Sequence, residues 1–252
     1  MKIQYCSDLH LEFAANSKFL KKHPIVPKGE ILILAGDIVP FIEIDLYQDF
    51  FDYLADNFTC TYWLPGNHEY YYFDAANRSG KLHEKIRSNV FLVNNEVIQL
   101  DGISIICSTL WSMISPQYFL PVQKRMSDFH TIKYNGQAFT AENFNQLHLD
   151  CKHFLINALS NDQGNKTIVA THHVPSFLNY PTKYKGDILS EAFAVELHDF
   201  IEAANIDYWI YGHHHFNTPT FDIGKTKMLT NQLGYIKYKE NMHFNGEAII
   251  EI

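Results

Sequence analysis

The sequence predicts an α/β fold made of short buried strands and amphipathic helices. Three short runs, at residues 3–6, 31–34 and 59–64, are apolar or β-branched, and each ends in turn or polar residues; this is the pattern of a buried strand. Residues 43–58 lie between the second and third runs and repeat apolar side chains at helical spacing. This β–α–β order, with strands that are apolar on both faces, is typical of a layered α/β protein.

The rest of the chain continues the alternation of strands and helices. Further strands are predicted at residues 90–93, 97–100, 103–107, 167–170 and 208–211. Asp101-Gly102 predicts a tight hairpin turn between the second and third of these strands. Helices are predicted at residues 141–159 and 191–203. Small antiparallel strands are predicted near the end, at residues 218–222, 227–230 and 247–250.

Length and composition describe an ordinary globular protein. The chain has 252 residues, of which 46% are hydrophobic and 19% charged, and its formal net charge is −8. Neither a repeat nor a low-complexity tract marks a linker, so we expect residues 1–252 to form one domain. The acidic balance argues against nucleic acid as a partner, because binding to the phosphate backbone depends on Lys and Arg.

We expect the protein to be soluble and cytoplasmic, without a membrane partner. Asp8 interrupts the start of the chain before a signal-peptide apolar region can form. The apolar runs are far shorter than the roughly 18–20 residues that span a bilayer. The four cysteines are scattered, with no CxxC pair, as expected for free thiols in a reducing compartment. The oligomeric state is left open.

Side chains that can bind metals follow five of the predicted strands. These side chains are Asp8, His10, Asp37, Asn67, His172, His213 and His215. In open α/β sheets, ligands bind outside the carboxyl ends of the strands, so five strand ends would bring these donors to one place. Carboxylates and an amide carbonyl suit hard cations, whereas imidazoles suit Zn, Fe, Mn or Ni, so the mixed set indicates divalent transition metals.

Five motifs occur in a fixed order along the chain. They are Asp8-x-His10, Gly36-Asp37, Gly66-Asn67-His68-Glu69, a histidine after a strand at His172, and Gly212-His213-x-His215. This ordered set resembles the calcineurin-like metallophosphoesterases, and the resemblance covers residues 8–215. It implies a four-layer α–β–β–α sandwich, with two mixed β-sheets flanked by helices, and a centre of two metal ions.

The resemblance also implies a role for each residue of the motifs. The first metal ion would be bound by Asp8, His10, Asp37 and His215. Asp37 would bridge to the second ion, which Asn67, His172 and His213 would complete. His68 would be catalytic rather than a ligand, and His173 and His214 are not expected to bind metal. The identity of the ions, among Mn, Fe, Zn and Ni, is left open.

The implied reaction is hydrolysis of a P–O bond in a phosphate mono- or diester. Two divalent ions lower the pKa of a shared water, and the resulting metal-bridging hydroxide attacks phosphorus. His68, beside the metals, would act as the general acid that protonates the leaving oxygen. The substrate would be a small-molecule or a protein phosphate ester, and the sequence does not identify it.

Three further residues are candidates for substrate contacts. Tyr70 follows His68 directly, and Trp111 follows the strand at residues 103–107. Arg125 lies in residues 111–135, a long stretch without periodicity that we expect to form a rim or lid over the site. The remaining histidines are expected on the surface; they are His23, His83, His130, His148, His153, His198 and His243.

Other functions remain open beside the phosphatase or phosphodiesterase hypothesis. A catalytically inactive scaffold would bind metal without turnover, but such proteins tend to lose the catalytic histidine, and His68 is present. A cyclic-nucleotide phosphodiesterase of the same superfamily is a second alternative. A nuclease is a third, although the acidic charge argues against it.

Overall fold

Two six-stranded β-sheets pack face to face in the computed structural model, which describes residues 1–162 and 164–252. In chain order the strands are β1 (Lys2–Cys6), β2 (Ile31–Ala35), β3 (Cys60–Leu64), β4 (Leu82–Arg87), β5 (Val90–Asn94), β6 (Glu96–Leu100), β7 (Ile103–Ser108), β8 (Lys133–Tyr134), β9 (Gln137–Ala138), β10 (Lys166–Thr171), β11 (Tyr208–Tyr211), β12 (Phe221–Ile223), β13 (Thr226–Thr230) and β14 (Ile249–Glu251).

The two sheets have the same design, a parallel centre with one antiparallel strand at each edge. The first sheet has the order β14-β1-β2-β3-β5-β4, and its four central strands are parallel. The second has the order β12-β13-β11-β10-β7-β6, again with four parallel strands at the centre. The parallel strands of each sheet therefore all end on the same side, so their carboxyl ends lie next to one another.

Helices cover the outer faces of both sheets. They are α1 (Ala14–Lys22), α2 (Gln48–Asn57), α3 (Phe119–Arg125), α4 (Asp128–Thr131), α5 (Ala141–Ser160), α6 (Ser190–Phe193) and α7 (His198–Ala203). Helix α2 packs on β3 and β5, and α5 packs on β7. The strand β2 shows why four layers form, because Ile31 and Ile33 face the other sheet while Leu32 and Leu34 face the helices. This confirms the predicted four-layer α–β–β–α sandwich.

Most predicted strands are confirmed with small shifts at their ends, and the Asp101-Gly102 hairpin turn joins β6 to β7 as predicted. The helix predicted at residues 43–58 begins as a 3₁₀ helix over Phe41–Tyr47 and continues as α2. The predicted tail is wrong in one respect, since β13 runs parallel to β11, while β12 and β14 are antiparallel to their neighbours. Helix α1, strand β4 and the β8–β9 hairpin were not predicted.

The helix predicted at residues 191–203 is wrong, because two short helices, α6 and α7, occupy that region. Between them, Ala194 forms an isolated parallel bridge with Val174, and the N–H of Val195 donates to the carbonyl of Val174 at 3.0 Å. The backbone is thus hydrogen-bonded to a distant segment rather than to its own preceding turn. Tertiary contacts override the helical periodicity here.

The stretch at residues 111–135 is more ordered than its sequence indicates. It contains α3, α4 and a 3₁₀ turn at Pro116–Tyr118, and β8 begins at Lys133. All four cysteines are free thiols. Within residues 1–162 and 164–252, no helix is both long and apolar enough to cross a membrane.

Candidate metal centre

The candidate metal centre lies where the carboxyl ends of the two sheets meet. Asp8, Asp37 and Asn67 follow β1, β2 and β3 in the first sheet, and His172 and His213 follow β10 and β11 in the second. Backbone hydrogen bonds join the loops within each sheet, from Asp8 N–H to the Gly36 carbonyl at 2.9 Å and from Gly212 N–H to the His172 carbonyl at 3.0 Å. These side chains therefore lie together at the end of the sandwich where the parallel strands terminate.

The first cluster of donors consists of Asp8, His10, Asp37 and His215. One ligand atom from each residue lies within 4.8 Å of the others. His215 Nε2 is 3.3 Å from Asp8 Oδ1 and 2.9 Å from His10 Nε2. His10 Nε2 is 3.7 Å from Asp37 Oδ2. These are the residues that the family resemblance assigns to the first ion.

The second cluster consists of Asp37, His172 and His213, whose ligand atoms also lie within 4.8 Å of one another. His172 Nε2 is 3.3 Å from Asp37 Oδ1, 3.1 Å from His213 Nδ1 and 3.3 Å from Asn67 Oδ1. The structure therefore brings all seven expected ligands together. Asp37 belongs to both clusters, with Oδ2 facing the first and Oδ1 facing the second.

The arrangement of the donor atoms suits the binding of divalent cations better than it suits hydrogen bonds among the side chains. Three atoms surround His172 Nε2 at hydrogen-bond distance, but a single N–H can serve only one of them well. His10 and His215 similarly bring two imidazole nitrogens within 2.9 Å. Buried carboxylates, an amide oxygen and imidazoles that converge in this way form a suitable ligand set for divalent transition metals.

The pKa values of two histidines also indicate a site that favours cations. Burial lowers the pKa of His172 and His215, but nearby carboxylates outweigh burial. Asp37 raises the pKa of His172 to about 9. Asp8, together with Glu240, raises the pKa of His215 to about 10. The buried carboxylates therefore stabilise positive charge within the site.

In His172 and His215, the ring nitrogen that faces away from the cluster has a partner that fixes the ring. His172 Nδ1 lies 2.9 Å from the Ala35 carbonyl, and His215 Nδ1 lies 2.8 Å from Glu240 Oε2. Metal-binding histidines usually donate their second N–H to a carbonyl or a carboxylate in this way, which sets the tautomer and orients the ring. Glu240 was not predicted, and no local sequence signal links it to His215.

The loops that carry the donors have unusual backbone conformations. Five of the expected ligands have positive φ angles: Asp8 (56°), His10 (48°), Asp37 (56°), His213 (77°) and His215 (50°). Non-glycine residues rarely adopt this left-handed region. Gly66 is required by close approach, because a Cβ there would collide with the Asp37 carboxylate and the His172 ring.

Glu69 links the loops that follow β2 and β3. Its Oε2 accepts the N–H groups of Asp37 at 2.9 Å and Gly66 at 2.7 Å. Its Oε1 accepts the N–H of Ile38 at 2.7 Å and the indole N–H of Trp63 at 3.0 Å. Burial and the Asp37 carboxylate raise the pKa of Glu69 to about 7, while the backbone donors work in the opposite direction.

His68 lies beside the clusters and is held by a carboxylate. Its Nδ1 is 2.9 Å from Glu12 Oε1, which is also 3.2 Å from His10 Nδ1. Its Nε2 is 3.3 Å from the hydroxyl of Tyr235. Burial lowers the pKa of His68, but the carboxylates of Asp37 and Glu12 outweigh burial and raise it.

Glu12 is a site residue that the sequence analysis missed. Glu12 continues the two-residue spacing of Asp8 and His10, but the backbone here is not an extended strand, because Asp8 and His10 have positive φ angles and residues 11–12 form a turn. The three imidazole and carboxylate groups of His10, Glu12 and His68 lie within 4.8 Å of one another. Glu12 therefore connects a candidate metal ligand to the candidate acid.

The stretch at residues 111–135 also contributes to the centre, through the buried Asp128 of α4. Asp128 Oδ1 accepts the side-chain N–H of Asn67 at 3.0 Å and the hydroxyl of Tyr71 at 2.8 Å. The Tyr71 ring stacks on His68, with 4.1 Å between ring centroids. Burial raises the pKa of Asp128, although both hydrogen bonds lower it. Asp128 thus orients Asn67 from outside the predicted motifs.

The clusters form the base of an open cleft of about 330 Å³. Its lining includes Arg125, Met126, Tyr184 and Phe193. Arg125 Nη2 also lies 3.4 Å from Asp187 Oδ2, so an exposed ion pair joins the end of α3 to the segment that contains Asp187. Arg125 is therefore at the cleft, and its contact with a substrate stays a prediction.

The structure corrects the other two candidate substrate contacts. Tyr70 and Trp111 are both fully buried, and their ring centroids are 5.6 Å apart in the hydrophobic core. Tyr71, the next residue along the chain, lines the cleft in place of Tyr70. Both expectations rested on position in the sequence, which does not show the direction in which a side chain points.

Three other histidines are buried, one of them against expectation. His148 was expected on the surface, but it is buried and its Nδ1 contacts the Trp111 carbonyl. His173 packs against Trp111, with 5.2 Å between ring centroids, and His214 Nδ1 lies 3.2 Å from Gln232 Oε1. Among the described residues, the two clusters include neither His173 nor His214.

Comparisons with known proteins identify relatives of the whole chain. A family model described as calcineurin-like phosphoesterase matches residues 1–217. A protein of Acanthamoeba polyphaga mimivirus, described as uncharacterized protein L509, is 33% identical over 279 residues, covering 99% of this chain and 96% of the viral one. The structure of phosphopantetheinyl hydrolase from Mycobacterium tuberculosis matches with a TM-score of 0.73 and 16% identity, over 100% of this chain and 95% of that one.

The structural match shows a shared fold, and the family model covers most of the chain, including every expected ligand. The clustered aspartates and histidines supply candidate sites for the metal ions on which this family typically depends. The chain therefore belongs to the calcineurin-like phosphoesterase family and is a metal-dependent phosphoric ester hydrolase.

Proposed function

We propose that the chain hydrolyses a phosphate mono- or diester at the two donor clusters. The observation that carries the proposal is that both clusters share Asp37 at the base of an open cleft, with His68 and Glu12 beside them. The cleft admits a substituted phosphate from solvent. His68, the buried histidine beside the cleft, can transfer a proton to the leaving group.

Each cluster would hold one divalent ion. Asp8, His10, Asp37 and His215 form the first ligand set, and Asp37, Asn67, His172 and His213 form the second. The ions would supply Lewis acidity and a water of lowered pKa. The ligand chemistry suits Mn, Fe, Zn or Ni, and elemental analysis of the purified protein identifies which of these is bound.

His68 is the proposed general acid. Its Nδ1 is held by Glu12 at 2.9 Å, so this nitrogen keeps its proton and Nε2 is the one that faces the cleft. The carboxylates of Asp37 and Glu12 raise the pKa of His68, which favours the protonated ring that a general acid requires. Nε2 then gives its proton to the alkoxide as the P–O bond breaks, and neutral His68 regains a proton from solvent. A positioned acid contributes roughly 10²–10⁴ in rate.

The substrate would be a small-molecule or a protein phosphate ester, as the phosphopantetheinyl hydrolase among its structural neighbours illustrates. Arg125 is proposed to contact an anionic group of the substrate, because its guanidinium borders the cleft and is half exposed.

We propose that residues 1–252 act as one domain with residues 111–135 on the rim. The acidic net charge of −8 supports a substrate other than nucleic acid, and we propose a cytoplasmic location.

The test is hydrolysis of 4-nitrophenyl phosphate and bis(4-nitrophenyl) phosphate with Mn²⁺, Fe²⁺, Zn²⁺ or Ni²⁺. Asp37→Asn should lose metal and activity together, because Asp37 serves both clusters. His68→Ala should retain the metals and lose most turnover. Folded protein that binds two ions but hydrolyses neither ester with any of these ions would contradict the proposal and favour an inactive scaffold.

A further inference from the structure

A small side pocket lies next to the cleft and is separate from the donor clusters. Its volume is about 140 Å³, and it is lined by Tyr180, Tyr184, Asp187, Leu189, Ser190, Phe193 and His214. Tyr184, Leu189, Phe193 and His214 also line the cleft. The two cavities therefore share a wall.

The side pocket begins one ring away from the second cluster. The ring of Phe193 stacks on the ring of His213, with 4.5 Å between centroids and 27° between planes. At the far side, Tyr180 stacks on His214 at 5.8 Å and 27°. A group bonded to a phosphate in the cleft can thus enter the side pocket across Phe193.

The lining is chemically suited to a flat ring. The rings of Tyr180, Tyr184 and Phe193 present aromatic faces and edges, which favour stacked or edge-to-face contact with another ring. The volume of about 140 Å³ is close to that of engineered apolar cavities of about 150 Å³ that bind benzene. The space therefore accommodates one six-membered ring.

Asp187 is the charged residue of the lining, and both of its carboxylate oxygens have partners. Asp187 pairs with Arg125 at 3.4 Å, and its Oδ1 accepts the N–H of Leu189 at 3.0 Å. Lys183 Nζ lies 4.6 Å from the Tyr184 ring centroid. The Ser190 hydroxyl donates to the Tyr184 carbonyl at 3.0 Å. An uncharged ring would consequently meet aromatic surface without breaking an ion pair.

We propose that this side pocket binds a single aromatic ring carried on the alcohol part of the phosphate ester. The proposal rests on the proposed phosphoesterase function and names the class of ester that the chain prefers. A short spacer joins the ring to the ester oxygen, because Phe193 separates the side pocket from the donor clusters by the thickness of one ring.

The first test compares esters of equally basic primary alcohols, so that leaving-group chemistry does not decide the result. We expect kcat/KM for 2-phenylethyl phosphate to exceed that for butyl phosphate roughly 10- to 50-fold, with a similar ratio for the corresponding methyl diesters. The 2-cyclohexylethyl ester should react more slowly than the 2-phenylethyl ester. Equal rates for the phenyl and butyl esters would overturn the pocket, and equal rates for the phenyl and cyclohexyl esters would overturn its aromatic preference.

Two variants locate the preference. Ser190→Phe places a ring inside the side pocket and should reduce the phenyl-to-butyl ratio to about one, whereas the same change at exposed Ser88 should leave the ratio as it is in the native protein. Tyr184→Leu keeps the side pocket apolar and should reduce the phenyl-to-cyclohexyl ratio. An undiminished phenyl-to-butyl ratio in folded Ser190→Phe would place the recognition elsewhere.

A binding measurement separates this proposal from the proposed function. Calorimetry with 2-phenylethylphosphonate and butylphosphonate should show roughly tenfold tighter binding of the aromatic compound, and Ser190→Phe should remove the difference. Equal affinities would overturn the side pocket. Failure to hydrolyse any ester would contradict only the phosphoesterase function, while turnover without aromatic preference would contradict only the side pocket.

Discussion

Glu69→Gln should destabilise the fold strongly although it changes the shape of one side chain very little. Each carboxylate oxygen of Glu69 accepts two N–H groups, from Asp37 and Gly66 on one side and from Ile38 and Trp63 on the other. A glutamine offers only one oxygen, and its NH₂ would face two donors. Either amide orientation therefore leaves two buried N–H groups without an acceptor.

The size of the effect follows from those two donors. A buried donor left without a partner costs about 1–3 kcal/mol, so two of them cost about 2–6 kcal/mol of unfolding free energy. Loss of the charge that is disfavoured beside Asp37 offsets part of this cost. The cost of the two donors is a large share of the roughly 5–15 kcal/mol that is typical of native proteins. Metal affinity should fall as well, because Glu69 fixes the N–H groups of Asp37 and Gly66 beside the clusters.

Urea denaturation measures this loss through the transition midpoint at unchanged slope. The matched control is Glu202→Gln on the exposed side of α7, where the change should stay within about 0.5 kcal/mol. The comparison is made on metal-free protein so that ligand binding does not contribute. A Glu69→Gln variant as stable as this control would refute the idea that the four hydrogen bonds join the two loops.

Three further predictions concern single carboxylates. Glu12→Gln keeps the shape but removes the charge that faces two imidazoles, so turnover should fall roughly 10- to 100-fold at unchanged metal content; native turnover would show that the charge is dispensable. Asp128→Ala frees the Asn67 amide and should weaken metal binding roughly tenfold in chelator competition; an unchanged affinity would count against this orienting role. Partial burial raises the pKa of Asp207, but the Lys166 ammonium outweighs it and the net pKa is lowered. The ionised carboxylate therefore stabilises the fold above its unfolded pKa of about 3.9, and the urea midpoints of native protein and Asp207→Asn should differ at neutral pH and converge under stronger acid, whereas a constant difference would contradict this linkage.

The parts of the fold that were predictable are those in which local pattern and tertiary environment agree. Residues 31–35 are apolar throughout, and both faces of that strand are buried, one against the second sheet and one against helices. The motif residues were predictable because they follow such strands directly. The direction of strand β13 was not predictable, because its parallel pairing depends on β11, a separate strand.

The misplaced residues have a common physical cause. Trp111 and His148 were assigned to the rim and the surface, yet they contact each other in the interior, where the His148 ring meets the Trp111 carbonyl. Glu240 and Asp128 orient His215 and Asn67 from segments outside the motifs. Such contacts depend on how the loops pack in three dimensions, and the sequence around each residue carries no sign of its partner.

The positive φ angles at the ligand positions have a consequence for how the protein responds to mild stress. Backbone held in the left-handed region persists only where the surroundings enforce it; here, hydrogen bonds such as that from His10 N–H to the Asp37 carbonyl do so. When temperature or denaturant weakens those bonds, the loops lose their shape while the sheets still retain theirs. We therefore expect metal binding to weaken before the sheets unfold, so release of bound ions should report damage earlier than circular dichroism does.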